Sequence, residues 1–303
     1  MTIVFKVSDN VKEKMIEYYM DKRKPNTPPY AIFQAVEGDS VITLYESGKA
    51  MFQGISADVD ANLWKDMEMH LNGINIDDKL KEKEQKDKTL YYLDAIGSDE
   101  VGTGDYFLPI VVCASYVRKS DISFLERLKV QDSKKMTDDK IRRCAPIIMS
   151  KIPHEYIIMS NKEYNNSHDK NNMNKIKAIM HNEVLFKMKQ KGFSYNKIIV
   201  DQFAYPRAYY GYLKEVNDKV TDITFTTKAE DKNLSVACAS IISRYIFLTK
   251  MDEINKKYGL TIPKGAGKSV DEVGKELVKK YGKEVLYDLA KISFKNTEKI
   301  LNN

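Results

Sequence analysis

Between Asp77 and Lys88 every residue but Leu80 and Gln85 is charged, and the run holds neither glycine nor proline. A hydrophobic core cannot pass through such a segment, so the chain must fold as two parts joined by a solvated linker or by the exposed end of a helix. We place the first domain at residues 1–76, the charged linker at 77–88 and the second domain at 89–303. With 303 residues and 43% hydrophobic side chains, both parts can bury a core, and disordered and fibrous classes are excluded.

In the first part Ile3, Phe5 and Val7 alternate as in a strand, and Ser8 or Asp9 can cap a short helix reaching Tyr19. After the breakers from Pro25 to Pro29, two apolar runs, Ala31 to Val36 and Val41 to Tyr45, flank the turn Glu37-Gly38-Asp39-Ser40. Glu46 to Lys49 then turns the chain into a third strand over Ala50 to Gln53. A helix over Ser56 to Leu71 completes a small α+β domain. In the second part the pattern predicts a strand over Leu90 to Ile96, a glycine-bearing turn around Gly102 and Gly104, and a hairpin partner from Phe107 to Val117. Helices are expected at Thr137 to Ser150 and Met173 to Lys191, then a buried strand over Lys197 to Val200. A long helix from Asp231 to Tyr258 and a last one over Val270 to Tyr281 complete an α/β domain.

Cys113, Cys144 and Cys238 are widely spaced, with no C-x-x-C pair and no nearby histidine, so neither a disulfide framework nor a zinc site is expected. No apolar run approaches the roughly 20 residues of a membrane span, and the charged amino terminus is unlike a signal peptide, so the expected compartment is the cytoplasm. The net charge of +6 is uneven: residues 1–88 carry 13 Lys and Arg against 16 Asp and Glu, which leaves +9 for the remainder. That excess suits a polyanionic partner without requiring one.

Three places bring acids to positions where chemistry is expected. Asp99 and Glu100 sit where an apolar strand breaks into Val101-Gly102-Thr103-Gly104-Asp105, and glycines there let backbone N–H groups approach a ligand. Alone, such a pair would be read as turn acids facing water. Asp201 closes the buried run and so stands at the carboxyl end of an interior strand, where open α/β sheets bind ligands; a capping aspartate would occupy the same place. Glu230 precedes the long helix, whose small residues Ala237, Cys238, Ala239 and Ser240 permit close packing on the sheet, although an acid there also favours a helix N-terminus. Converging carboxylates without Cys or His favour Mg²⁺ or Mn²⁺, and a pair of such ions suits phosphodiester displacement. His70, His154, His168 and His181 are scattered and are assigned to surface or packing. Lys264 to Ser269 ends like a phosphate-binding loop, but Ile262 stands where that pattern needs glycine and Pro263 replaces the preceding strand. Tyr205 to Tyr212 offers four tyrosines and Arg207, for packing or for stacking on nucleotides.

Taken together, Ile96-Gly97-Ser98-Asp99-Glu100-Val101-Gly102-Thr103-Gly104-Asp105-Tyr106-Phe107 resembles the active-site signature of the bacterial ribonuclease HIII family. The likeness continues through Asp132-Ser133-Lys134-Lys135-Met136, Lys162 to Asn165, Asn174 to Asn182, Ile199 to Phe203, Thr227 to Ser243 and Thr261 to Gly267. The block ending Ser47 to Gly54 is similar to that family's amino-terminal substrate-binding domain, which is like half of the TATA-binding protein. The resemblance implies a ribonuclease H-like mixed sheet flanked by helices, and cleavage of the RNA strand of RNA–DNA hybrid duplexes with two Mg²⁺ or Mn²⁺ ions. It implies Asp99, Glu100, Asp201 and Glu230 as metal-holding catalytic acids. By the same likeness Gly102, Thr103 and Gly104 lie against the hybrid backbone, while Ser133 and Lys134 hold a DNA-strand phosphate. Thr103 stands where ribonuclease HII has arginine and Glu230 where it has aspartate, which favours HIII and runs of ribonucleotides over a single embedded one. The implied protein is a monomer without an obligate protein partner or membrane. Leu108 replaces the family's usual glycine, so either the backbone there needs no positive φ or the hairpin differs. The acidic balance of residues 1–88 means that nucleic-acid contacts in the first domain would come from a local face, with Lys22 to Lys24 and Lys49 as candidates.

Overall fold

The computed structural model describes residues 1–130, 133–168 and 171–302, and for residues 81–88 the backbone alone. The chain divides into two compact units, Met1–Asp87 and the residues from Lys88 onward.

The first unit runs β1 (Thr2–Lys6), α1 (Asp9–Tyr18), β2 (Ala31–Glu37), β3 (Ser40–Tyr45), β4 (Lys49–Gly54) and α2 (Ala57–Asn72), with strands in the antiparallel order β1-β4-β3-β2. Because side chains alternate along a strand, the registers Phe5↔Ala50, Ile3↔Phe52 and Ile42↔Phe52 gather apolar groups on one face. There they pack with Val11, Met15, Tyr19 and Trp64. The Trp64 indole N–H donates to the Tyr19 hydroxyl at 2.9 Å, so neither polar atom is buried unpaired. The charged run lies within α3 (Ile76–Tyr91), a helix rather than an extended linker, as Lys, Glu and Gln without a breaker allow. Of the expected basic contacts, Lys22 is engaged internally, paired with Glu37 and placed over the Tyr18 ring at 4.2 Å, whereas Lys49 is exposed.

The second unit continues with β5 (Ala95–Val101), β6 (Ile110–Val117), α4 (Ile122–Arg127), α5 (Asp138–Lys151), β7 (His154–Met159), α6 (Asn161–His168) and α7 (Met173–Gln190). Next come β8 (Lys197–Asp201), α8 (Pro206–Tyr212), β9 (Ile223–Thr226), α9 (Ala229–Lys232), α10 (Leu234–Tyr258), α11 (Lys268–Tyr281), α12 (Val285–Leu289) and α13 (Lys295–Leu301). Its mixed sheet has the order β7-β6-β5-β8-β9, antiparallel from β7 to β5 and parallel from β5 to β9. Helix α10 covers one face and α7 the other, so β6 is buried on both sides and reads as an unbroken apolar run. Close approach of α10 rests on Gly97: a Cβ there would stand 2.4 Å from Ser235 Oγ and 2.5 Å from the Val236 nitrogen. Helix α10 is long and apolar enough to cross a membrane, but 72% of its most apolar window is buried in this core.

Three boundaries differ by three residues or more from those the sequence predicts, the first being the hairpin partner β6, which begins at Ile110 and not at Phe107. Leu90 and Tyr91 end α3, and the strand starts at Ala95 and continues through Val101, so Asp99 and Glu100 lie inside β5 rather than in the turn beyond it. The helix expected from Asp231 is broken at Asn233, whose extended backbone (φ −148°, ψ 132°) separates α9 from α10 while its side chain accepts from the Ser235 N–H at 2.8 Å.

Candidate active site

The acids of β5 separate because neighbouring residues of a strand face opposite sides. Asp99 looks toward α10, where the Ser240 hydroxyl is its hydrogen-bond partner, and Glu100 looks toward α7. Lys177 Nζ lies 2.5 Å from Glu100 Oε1, and His181 Nε2 lies 2.9 Å from Oε2, while the other ring nitrogen of His181 meets Ser98 Oγ at 2.8 Å. His181 is fully buried, in keeping with packing rather than surface, and it also touches a candidate catalytic acid.

These environments push the two carboxyls apart. Burial, and then the adjacent Glu100 charge, raise Asp99 to about 8. Burial acts in the same direction on Glu100, but the hydrogen bond and charge of His181, together with Lys177, outweigh it and bring Glu100 down to about 2. The stability consequences have opposite signs. A raised folded pKa means that the Asp99 contribution is present below the ordinary carboxylate range and is lost as pH rises through about 8. The Glu100 contribution is present above that range and is lost as pH falls through about 2. In chelator, melting temperature is therefore expected to fall between about pH 4 and 8 more steeply in the wild type than in Asp99→Asn. Parallel melting curves would contradict the assignment.

The parallel register Ser98↔Val200 carries Asp201, the last residue of β8, to the level of Asp99. Asp201 accepts from the Ala229 N–H at 3.2 Å, which ties it to α9 one residue before Glu230. The Glu230 carboxylate lies 3.9 Å from Lys134 Nζ. Asp99, Glu100, Ser133, Lys134 and Ser240 line one cavity of about 210 Å³ with Arg244 and Lys264, and neither Asp201 nor Glu230 lines it. Among the described residues no three acidic, histidine or cysteine side chains are gathered as a ready-made metal cage. Donor chemistry nonetheless fits a hard divalent cation: Asp99 is a buried carboxylate whose position favours neutralisation, beside a second acid and at the strand ends.

Ser133 is buried and its hydroxyl lies 2.7 Å from that of Ser240, so the segment before α5 is linked through one side chain to Asp99. Lys134 is 77% exposed on the rim. Asp132 lies outside the described residues. In the turn after β5, Gly102 has φ +91° and a Cβ would stand 2.1 Å from the Pro109 carbonyl oxygen, so no other residue fits. A Cβ at Gly104 would meet nothing within 4 Å, which leaves the outer edge of the turn open, with Thr103 half-exposed beside it.

Leu108 has a φ of +72°, so the backbone keeps the conformation that glycine favours while holding a fully buried leucine. The turn is braced from the carboxyl-terminal segment. Lys291, also fully buried, donates to the carbonyl oxygens of Asp105 at 2.7 Å and Leu108 at 2.6 Å, and burial lowers its pKa to about 7. The Gly265 N–H donates to Asp105 Oδ1 at 2.6 Å and the Tyr106 N–H to the Gly265 carbonyl at 2.8 Å. The segment that ends like a phosphate-binding loop therefore buttresses the turn. Leu108→Gly sets relief of about 1 kcal/mol of left-handed strain against a buried-side-chain loss of about 3 kcal/mol. The expected result is a net destabilisation of about 2 kcal/mol in urea unfolding; a stabilised variant would contradict it. Of the tyrosine cluster, Tyr209 is buried and Tyr210 donates to the Thr221 carbonyl at 2.9 Å, while Tyr205 is 79% exposed.

The chain is similar to known proteins along its whole length. The family model described as Ribonuclease HII matches residues 96–297, and the model described as Domain of unknown function (DUF3378) matches residues 2–73. Ribonuclease HIII of Bacillus cereus is 38% identical over 311 residues, covering 99% of this chain and 98% of the relative. Ribonuclease HIII of Bacillus mycoides is 37% identical over 302 residues, covering 98% of this chain and 97% of the relative. The crystal structure of Bst-RNase HIII in complex with Mn²⁺ superposes with a TM-score of 0.71 at 35% identity, covering 100% of this chain and 98% of that one. Aquifex aeolicus RNase H3, at 23% identity and a TM-score of 0.55 over 96% of this chain and 99% of that one, shares the fold. A full-length match of this kind, on a mixed sheet with acids at its parallel strand ends, shows that the chain belongs to the ribonuclease HIII family of metal-dependent endoribonucleases.

Proposed function

We propose that this chain hydrolyses the RNA strand of RNA–DNA hybrids internally, leaving 3′-hydroxyl and 5′-phosphate ends. The observation that supports the reading is that Asp99 and Glu100 on β5 line one cavity with Ser133 and Lys134, while the parallel register carries Asp201, at the end of β8, to the level of Asp99. Asp99, Glu100, Asp201 and Glu230 would hold two Mg²⁺ or Mn²⁺ ions. Such ions supply an activated water and charge stabilisation at the leaving oxygen of an in-line displacement.

The chain's own groups do the positioning. Lys134 and Ser133 receive a phosphate of the DNA strand, with the lysine acting as a mobile point charge and the serine held by Ser240. The rigid Gly102 and open Gly104 let backbone N–H groups of the turn approach the hybrid, and Thr103 lies beside them without a long side chain to single out one junction. The first unit adds grip through exposed residues such as Lys49, binding as a domain of residues 1–76 whose partner is the duplex. The enzyme acts as a cytoplasmic monomer.

A choice of substrates tests the reading against ribonuclease HII-like activity. Rapid cutting of a duplex with a run of ribonucleotides, and little cutting at a single embedded one, is the expected pattern. Preference for the single ribonucleotide would assign the HII activity instead, and binding without cutting would leave a nucleic-acid-binding protein.

A further inference from the structure

Lys177 and His181 stand one helical turn apart on α7 and so project from the same face. Both are buried, and together they occupy both oxygens of Glu100. They are also fixed from behind: the Lys177 ammonium sits 4.0 Å from the centroid of the Phe203 ring, and His181 stacks on that ring at 5.4 Å. Phe203 is two residues past Asp201, so the assembly joins α7 to the carboxyl ends of both β5 and β8.

Burying a lysine and a glutamate together gains little for folding, because the desolvation of both ions offsets their attraction. Apolar residues would fill the same space between α7 and the sheet. The arrangement does something else at this position: it supplies a positive charge to a carboxylate that the function proposed above requires as an ion ligand. We infer that Lys177 is a resident cation competing with the divalent ion for Glu100, while His181 is the residue that keeps Glu100 correctly turned for that ion. Both are positioning residues acting through Glu100, and the inference rests on the metal-dependent reading of the site.

The two roles have opposite signs. Removing Lys177 leaves Glu100 without its competing charge, so a divalent ion binds more tightly. At a few ångströms in a partly dehydrated site, one unit charge is worth about tenfold or more in affinity. His181, in the tautomer that accepts from Ser98 at Nδ1, donates its Nε2–H to Glu100, and loss of such an outer hydrogen bond weakens ion binding by about 10- to 100-fold.

The test is Mn²⁺ binding to the full chain without nucleic acid, monitored by the electron paramagnetic resonance signal of free Mn²⁺, with hybrid cleavage measured alongside. Lys177→Met is expected to bind Mn²⁺ about tenfold more tightly and His181→Leu about tenfold more weakly, while Lys177→Arg, which keeps the charge, binds as the wild type does. Lys177→Gln carries the same expectation as Lys177→Met should the methionine variant fail to fold. If both uncharged variants bind Mn²⁺ no more tightly than the wild type, or neither folds, Lys177 is a structural ion-pair partner and the inference is overturned. Failure of the proposed function gives a different result: the wild type itself would neither bind Mn²⁺ nor cleave.

Discussion

Asp99→Asn is expected to lower hybrid cleavage by about 10³-fold or more, equivalent to ~4 kcal/mol of lost barrier reduction, while leaving the fold intact. The substitution keeps the shape of the side chain and its bond to Ser240, but a carboxamide cannot supply the negative charge that draws a divalent ion to the strand ends. Burial and Glu100 already press Asp99 toward its neutral form, so the asparagine sits in this pocket at lower cost than the charged aspartate. Steady-state cleavage and thermal melting in chelator measure the two effects together. Activity should vanish while the metal-free protein melts no lower than the wild type at pH 8; retained cleavage would remove Asp99 from the chemistry.

Gly97→Ala is expected to destabilise the second unit strongly. Its new methyl carbon would lie 2.4 Å from Ser235 Oγ and 2.5 Å from the Val236 nitrogen, and the second of these is backbone at the start of α10. A flexible side chain could swing aside, but a helix start packed along β5 and β6 must move as a body. Overpacking of this severity costs about 3 kcal/mol, and the displacement also carries Ser240 away from Asp99. Stability in urea and cleavage rate should therefore fall together. A variant of wild-type stability would mean that α10 does not lean on this glycine.

The candidate acids are picked out by the family resemblance, with only weak local signals beside them: Asp99 and Glu100 before a glycine turn, Asp201 at the end of a dense apolar run and Glu230 before a long helix. Their exact setting is not legible in the sequence. An apolar run alone does not distinguish helix from strand, so Leu90 and Tyr91, which finish α3, read as the start of β5. Asn233 interrupts the helical pattern for one residue by taking the extended form and capping α10, a change that leaves no gap in hydrophobic periodicity. Strands β7 and β9 give no clear signal because their residues are half-buried, and edge strands of that kind show neither a dense run nor clean alternation.

Lys177 and His181 owe their importance to where α7 crosses the sheet. Sequence spacing places them on one helical face, but only the fold turns that face toward Glu100. The available signal is two polar side chains four apart on a helix that also carries Ile176, Ala178, Met180, Val184 and Leu185 in its buried surface. Lys291 is similarly hidden from sequence, since its partners are backbone carbonyls nearly two hundred residues earlier in the chain. Leu108 misleads in the other direction, since a leucine suggests a backbone without positive φ, whereas φ there is +72°.

Metal-dependent cutting of hybrids is most directly tested by incubating the full chain with an RNA–DNA hybrid labelled at one end of its RNA strand, in chelator and then with Mg²⁺ or Mn²⁺ added. The predicted result is internal cuts in the RNA strand alone, ending in 3′-hydroxyl and 5′-phosphate groups, only when the divalent ion is present. Cleavage that proceeds in chelator, or a hybrid that survives intact with either ion, would contradict it.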